Sequence, residues 1–139
     1  MCNFFNYVNN LGQSVTGRTM DAMSPAGVDH MAIRIAPKGI AKASNSENPV
    51  TWTSKYNSSA IWSYDGLVGE AMNEKGLTAS GLYLLESNYG LVNGRKTLSV
   101  PALPQFVVDS FATVEEVVDY FESQKDDVCI VTNAACAGE

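Results

Sequence analysis

The residues from Asn3 to Leu85 fall into short runs of strand-forming side chains, each closed by a turn sequence, and only after residue 100 does the apolar spacing become helical. That order constrains the fold more than any other feature. Asn3 to Val8 is rich in strand formers, Asn9-Asn10-Leu11-Gly12 is a turn, and residues 13–20 resume an extended pattern, so the first twenty residues predict a β-hairpin. His30 to Ile35 alternates and stops at Pro37-Lys38-Gly39. The polar stretch 40–50 reads as a surface loop, with strands following at 51–56, 59–64 and about 67–72. Asn73-Glu74-Lys75-Gly76 is a hairpin turn in which Gly76 can take the positive φ, and Leu77 to Leu85 reads as a buried strand. Beyond a loop at 86–97, Val100 to Phe111 has helical spacing, with Pro101 and Pro104 confining the helix to their C-terminal side or its first turn. Thr113-Val114-Glu115-Glu116 is a capping box, and Val114, Val117, Val118 and Phe121 form an apolar stripe that predicts a helix over 113–122. Val128 to Val131 can begin another strand. Strands first and two helices afterwards imply an α+β fold, a sheet with helices over one face.

Composition narrows the function. The 139 residues suffice for one domain, and 45% hydrophobic with 17% charged residues is an ordinary globular balance. A net charge of −6, with nine basic residues scattered from Arg18 to Lys125, argues against a nucleic-acid partner. No apolar run approaches the ~18–20 residues of a membrane span, and the first residues lack a signal peptide's basic and apolar regions, so the expectation is a cytoplasmic protein with no membrane partner. Three cysteines, Cys2, Cys129 and Cys136, make neither a disulfide framework nor a zinc motif. With His30 the single histidine, cysteine chemistry here draws its base from elsewhere than imidazole.

Cys2 offers such a source. Removal of Met1 leaves a thiol and a free α-amine on one residue, and an α-amine with its ordinary pKa of about 7.7–8.0 is partly neutral near pH 7 and can act as a general base. The alternative is an accidental cysteine. Arg18 and Asp21, in Gly17-Arg18-Thr19-Met20-Asp21, are returned towards Cys2 by the hairpin. A cation there favours thiolate, and a carboxylate can orient the amine. The same two residues also suit an ordinary surface ion pair. Tyr83, after Ser80-Gly81-Leu82, can donate to an oxyanion or simply be a strand residue. His30 and Cys129 read as structural, Cys136 as an exposed tail thiol, Trp52 and Trp62 as core or pocket wall, and Glu115 and Glu116 as the solvated start of a helix.

Taken together and in order, Met1-Cys2, GRTMD at 17–21, WTSKY at 52–56, the DG…MNEKGLTASGLYL run at 65–84 and VVDSFATVEEVVDYF at 107–121 resemble the choloylglycine hydrolase family, over roughly residues 2 to 125. That family includes penicillin V acylases and conjugated bile salt hydrolases and has the N-terminal-nucleophile αββα sandwich. The resemblance implies that Cys2 is the nucleophile, that Arg18 lies beside the thiol and contacts substrate, that Asp21 holds the α-amine, and that Met20 lines the pocket. Tyr83 falls at a position tied to the oxyanion hole, where bile salt hydrolases typically have Asn and penicillin V acylases can have Tyr. It thereby implies an amidase of the penicillin V acylase kind acting on a linear non-peptide amide without metal or cofactor. A bile salt conjugate or an N-acyl homoserine lactone is the alternative substrate.

Two departures stand out. Ala22 follows the GRTMD aspartate where many family members carry an aromatic residue. Members are also longer and draw a further Asn and Arg from their second half, to which Thr132-Asn133 does not correspond. Residues 1–139 are therefore expected to be a single N-terminal-nucleophile domain truncated on its C-terminal side. The remaining alternative is an incomplete, non-catalytic domain that needs a partner: the missing half of the sandwich, or a homo-oligomer.

Overall fold

A computed structural model describes residues 2–19, 31–63, 67–82, 84, 86–125 and 127–132. The hairpin expected at the start is present. β1 (Phe4–Val8) pairs antiparallel with β2 (Ser14–Arg18), Phe4 opposite Arg18 and Val8 opposite Ser14. Asn9 builds its turn, its side-chain oxygen accepting from the backbone N–H groups of Leu11 and Gln13 at 2.9 and 3.0 Å. The Phe5 ring rests directly over Gly17, so that a Cβ there would lie 2.4 Å from the ring tip and would push this exposed side chain aside.

The main sheet has the order β3-β6-β7-β8, all antiparallel: β3 (Ala32–Ala36), β6 (Ser58–Ser63), β7 (Leu67–Asn73) and β8 (Thr78–Ser80). Successive side chains on a strand point to opposite faces. Its inner face carries Ala60, Val68 and Ala71, buried against Val108, and its outer face carries Ile33, Ile35, Ile61 and Met72. The Asn73–Gly76 turn takes the expected form, with Gly76 at φ +85° and its N–H donating to the Asn73 carbonyl at 2.9 Å.

Several expectations need correction. The buried strand expected over Leu77–Leu85 shrinks to half-buried β8, because the strand lies at a sheet edge with a partner on one side only; Leu82 and Leu84 are exposed. The stretch taken as a loop at 40–50 contains β4 (Ala41–Ala43), which pairs with β5 (Thr51–Thr53) in a separate two-stranded sheet. Lys96–Ser99, placed at the end of a loop, forms β9, with Thr97, Leu98 and Ser99 buried. It pairs in parallel with β10 (Val128–Val131), where a further strand was expected. A parallel pair needs a long crossover, and the two intervening helices supply it. The fold is thus α+β, but with a parallel pair beside antiparallel sheets and a strand after the helices.

α1 (Leu103–Ser110) follows a 3-10 turn over Val100–Ala102, so Pro101 and Pro104 fall where no intrahelical N–H is needed, as expected. Residues 104–110 are all buried, the mark of a helix enclosed on every side. Phe106 is the hub, with Trp52, Phe111, Tyr120 and Phe121 ring centroids 5.3 to 6.3 Å away. α2 (Val114–Ser123) starts at the expected cap, where Thr113 Oγ1 accepts from Glu116 N–H at 3.3 Å and Glu116 reaches back to accept from Ala112 N–H at 2.7 Å. The two glutamates therefore serve the helix start. Hydrogen bonding to its own backbone N–H and to Thr113 holds the Glu115 carboxyl below its ordinary value. Only part of the predicted stripe is used: Val117 and Phe121 pack on the core, whereas Val114 and Val118 face solvent.

Candidate active site

The hairpin register sets the geometry around Cys2. Beyond the Phe4–Arg18 pair the ladder is extended by Asn3, whose N–H donates to Thr19 Oγ1 at 3.0 Å and whose carbonyl accepts from Thr19 N–H at 2.9 Å. Half-buried Cys2 is one step further. Strand alternation puts it on the face shared by Phe4 and Arg18, diagonal to Arg18, an arrangement that sets Cβ atoms up to about 7–8 Å apart. A guanidinium reaches easily across such a gap.

Arg18 is firmly anchored. Its side chain is 8% exposed, and its Nε lies 2.9 Å from Glu70 Oε1 in an ion pair whose angles fall short of a hydrogen bond. Its Nη2 donates to the Gly81 carbonyl at 2.8 Å. Glu70 is itself held by Ser80, whose hydroxyl donates to Oε2 at 2.6 Å. Glu70 stands on the outer sheet face, directly across from Ile61 on one side and Ser80 on the other. Arg18 therefore fastens the hairpin to that face at its β7–β8 end, two residues before Tyr83.

Of the other sequence-derived candidates, Met20, Asp21 and Tyr83 lie outside the described residues, as do Met1, His30 and Cys136. Cys129 is buried, as expected, with its thiol donating to the Tyr89 carbonyl at 3.5 Å. Among the described residues no group of three or more His, Cys, Asp or Glu side chains is placed to hold a metal ion, and no helix is long and apolar enough to cross a membrane.

Two acidic residues that the sequence reading passed over have structural weight. One is Glu70, whose only signal was a lone charge inside an apolar strand run. The other is Asp109, fully buried in α1. Its Oδ2 accepts from Lys42 Nζ at 2.7 Å and Trp52 Nε1 at 2.8 Å, and its Oδ1 from Gln105 Nε2 at 2.8 Å and Ser58 Oγ at 3.1 Å. A carboxylate with four donors has no acceptor capacity left for a substrate, so Asp109 ties β4, β5, β6 and α1 together.

A concavity of about 650 Å³ lies elsewhere, between Asn48, Val50, Arg95, Tyr120, Gln124 and Val128. Arg95 and Lys96 line it, and Arg95 is committed to backbone carbonyls, among them those of Val92 and Lys125 at 3.1 and 3.0 Å. A hollow lined by no cysteine is a weaker site for thiol-based acyl transfer than the hairpin, where a thiol and a buried guanidinium share a strand face.

Known proteins resemble the chain over most of its length. The choloylglycine hydrolase family, described as linear amide C-N hydrolases, matches residues 2–133. A penicillin V acylase of Pectobacterium atrosepticum is 33% identical over 135 residues, covering 89% of this chain and 35% of its own length. The solved structure of penicillin V acylase from Agrobacterium tumefaciens superposes with a TM-score of 0.82 at 37% identity, over 95% of this chain and 40% of that one. A C2A variant of conjugated bile acid hydrolase from Clostridium perfringens shares the fold, with a TM-score of 0.66 at 23% identity, over 94% of this chain and 39% of its own. The chain thus spans well under half the length of these relatives.

Proposed function

The chain belongs to the choloylglycine hydrolase family of linear amide C-N hydrolases, and from that premise we propose that it is a cysteine N-terminal-nucleophile amidase of the penicillin V acylase kind. The observation that carries this reading is the placement of Cys2 on the hairpin face of a buried, doubly anchored Arg18. The two more similar relatives being penicillin V acylases favours a phenoxyacetyl-type amide over a bile salt conjugate or an N-acyl homoserine lactone.

With Met1 removed, the α-amine takes the Cys2 thiol proton and the thiolate attacks the amide carbonyl. Arg18 favours the anionic sulfur, and Tyr83 donates to the oxyanion that forms. The ammonium, held by Asp21, gives its proton to the leaving amine as the C–N bond breaks, leaving a thioester. Water then attacks the thioester, passing its proton through the same amine to the sulfur, and the carboxylic acid departs. Met20 lines the acyl pocket. No step calls on a metal or cofactor.

The test is intact mass before and after treatment with a phenoxyacetyl fluoride probe, with Cys2→Ala alongside. Loss of Met1 and a single adduct absent from the variant is the expected result. Retained Met1, or labelling that persists in Cys2→Ala, sinks the proposal.

One observation favours a second reading, an incomplete, non-catalytic domain that needs a partner. Ile33 and Ile35 are 76% and 75% exposed, and Met72 49%, all on the outer face of the main sheet. Half of a sandwich leaves such a sheet face uncovered. A chain that self-associates through this face in size-exclusion chromatography and takes no acyl label supports this reading.

A further inference from the structure

A buried guanidinium on the same strand face as a thiol is useful to it only if something fixes where it points, because an Arg side chain has many rotamers and is costly to immobilise. Arg18 is fixed by Glu70 on one side and the Gly81 carbonyl on the other. Glu70 is in turn fixed by the Ser80 hydroxyl at 2.6 Å. β1, β2, β7 and β8 carry no other charges than Arg18 and Glu70. Within these four strands the pair stands alone. It is a single carboxylate set against a single guanidinium, across the junction between hairpin and sheet.

We infer that Glu70 is a positioning residue for the amidase reaction, holding Arg18 at the Cys2 thiol, with Ser80 orienting the Glu70 carboxylate. This rests on the reading of Cys2 as the nucleophile. Glu70 makes no contact with substrate and acts through Arg18 alone. The sign of its effect separates this role from a bland one. A carboxylate that merely sits near a thiol disfavours thiolate, so its removal makes the thiol more acidic. A carboxylate that holds a cation in place favours thiolate indirectly, and its removal makes the thiol less acidic as the guanidinium swings away.

The experiment follows the rate of Cys2 alkylation by iodoacetamide against pH in the 139-residue chain, read by peptide mass spectrometry to separate Cys2 from Cys129 and Cys136. Folding of each variant is checked by circular dichroism. Glu70→Ala is expected to move the midpoint of the profile up by about half to one pH unit and to slow alkylation at pH 7 about three- to tenfold. Arg18→Met is expected to shift it the same way, at least as far. Glu70→Gln and Ser80→Ala, which keep more of the local structure, are expected to shift it less but in the same direction, and they carry the test if Glu70→Ala does not fold. A midpoint that falls, or stays in place in folded variants, overturns the inference. The phenoxyacetyl adduct is scored separately on the wild-type chain. Its absence counts against the amidase reading, whereas the alkylation comparison still reports on Glu70 and Arg18.

Discussion

The two faces of the main sheet are built from similar strands and have opposite fates. On the inner face, Ala60, Val68 and Ala71 are 5% exposed or less beneath α1, and Asn73 and Asp109 bury polar groups among them with their partners in place. On the outer face, larger side chains stand in the open: Ile33, Ile35, Ile61 and Met72. Among the described residues, Arg18 comes down on that face at its β7–β8 end, on Glu70. Small residues are buried and large ones are bare, the reverse of what burial energetics favours for a finished surface. The inner face is where this chain's own stability resides, and the outer face is where its chemistry is proposed to lie.

The largest effect is expected at Asp109. Asp109→Ala strips four donors of their common acceptor and leaves Lys42 beside a buried gap, at an expected cost of about 3–5 kcal/mol, read as a fall in the urea midpoint. A smaller loss would mean that water replaces the carboxylate and that the inner face is less dry than it looks. Next comes Asn73→Ala. Asn73 Nδ2 donates to the carbonyls of Val108 and Phe111 at 2.8 and 2.7 Å, and its Oδ1 accepts from Lys75 and Leu77 N–H groups at 3.0 and 3.1 Å. Its removal unties the β7–β8 turn from the C-terminal end of α1, for about 1–3 kcal/mol. The smallest change is expected from Ile33→Thr with Ile35→Thr on the outer face, within about 0.5 kcal/mol in the same unfolding experiment. Binding of a hydrophobic dye such as ANS should drop in that variant. A stability loss matching that of Asn73→Ala would show the outer face to be covered in solution.

The sequence by itself determined the hairpin, because strand formers interrupted by Asn9-Asn10-Leu11-Gly12 leave the backbone one economical local solution. It determined α2 through the Thr113 cap and the Gly76 turn through its need for positive φ, and it set Cys2 on the hairpin face that carries Arg18 because hairpin register follows from local pairing. All of these are interactions within some twenty residues of chain. The ordered motifs also fixed the family. Tertiary structure alone decided the rest. β9 and β10 are four residues each and meet in parallel across two helices, a pairing no local periodicity announces. The strand expected to run through Leu85 stops at Ser80, since an edge strand has one partner and nothing beyond it to pair with. Asp109 and Glu70 look alike in sequence, single acids in apolar runs. One became a buried tie among four elements and the other the anchor of Arg18, because a carboxylate's role depends on which donors the fold brings to it from more than fifty residues away.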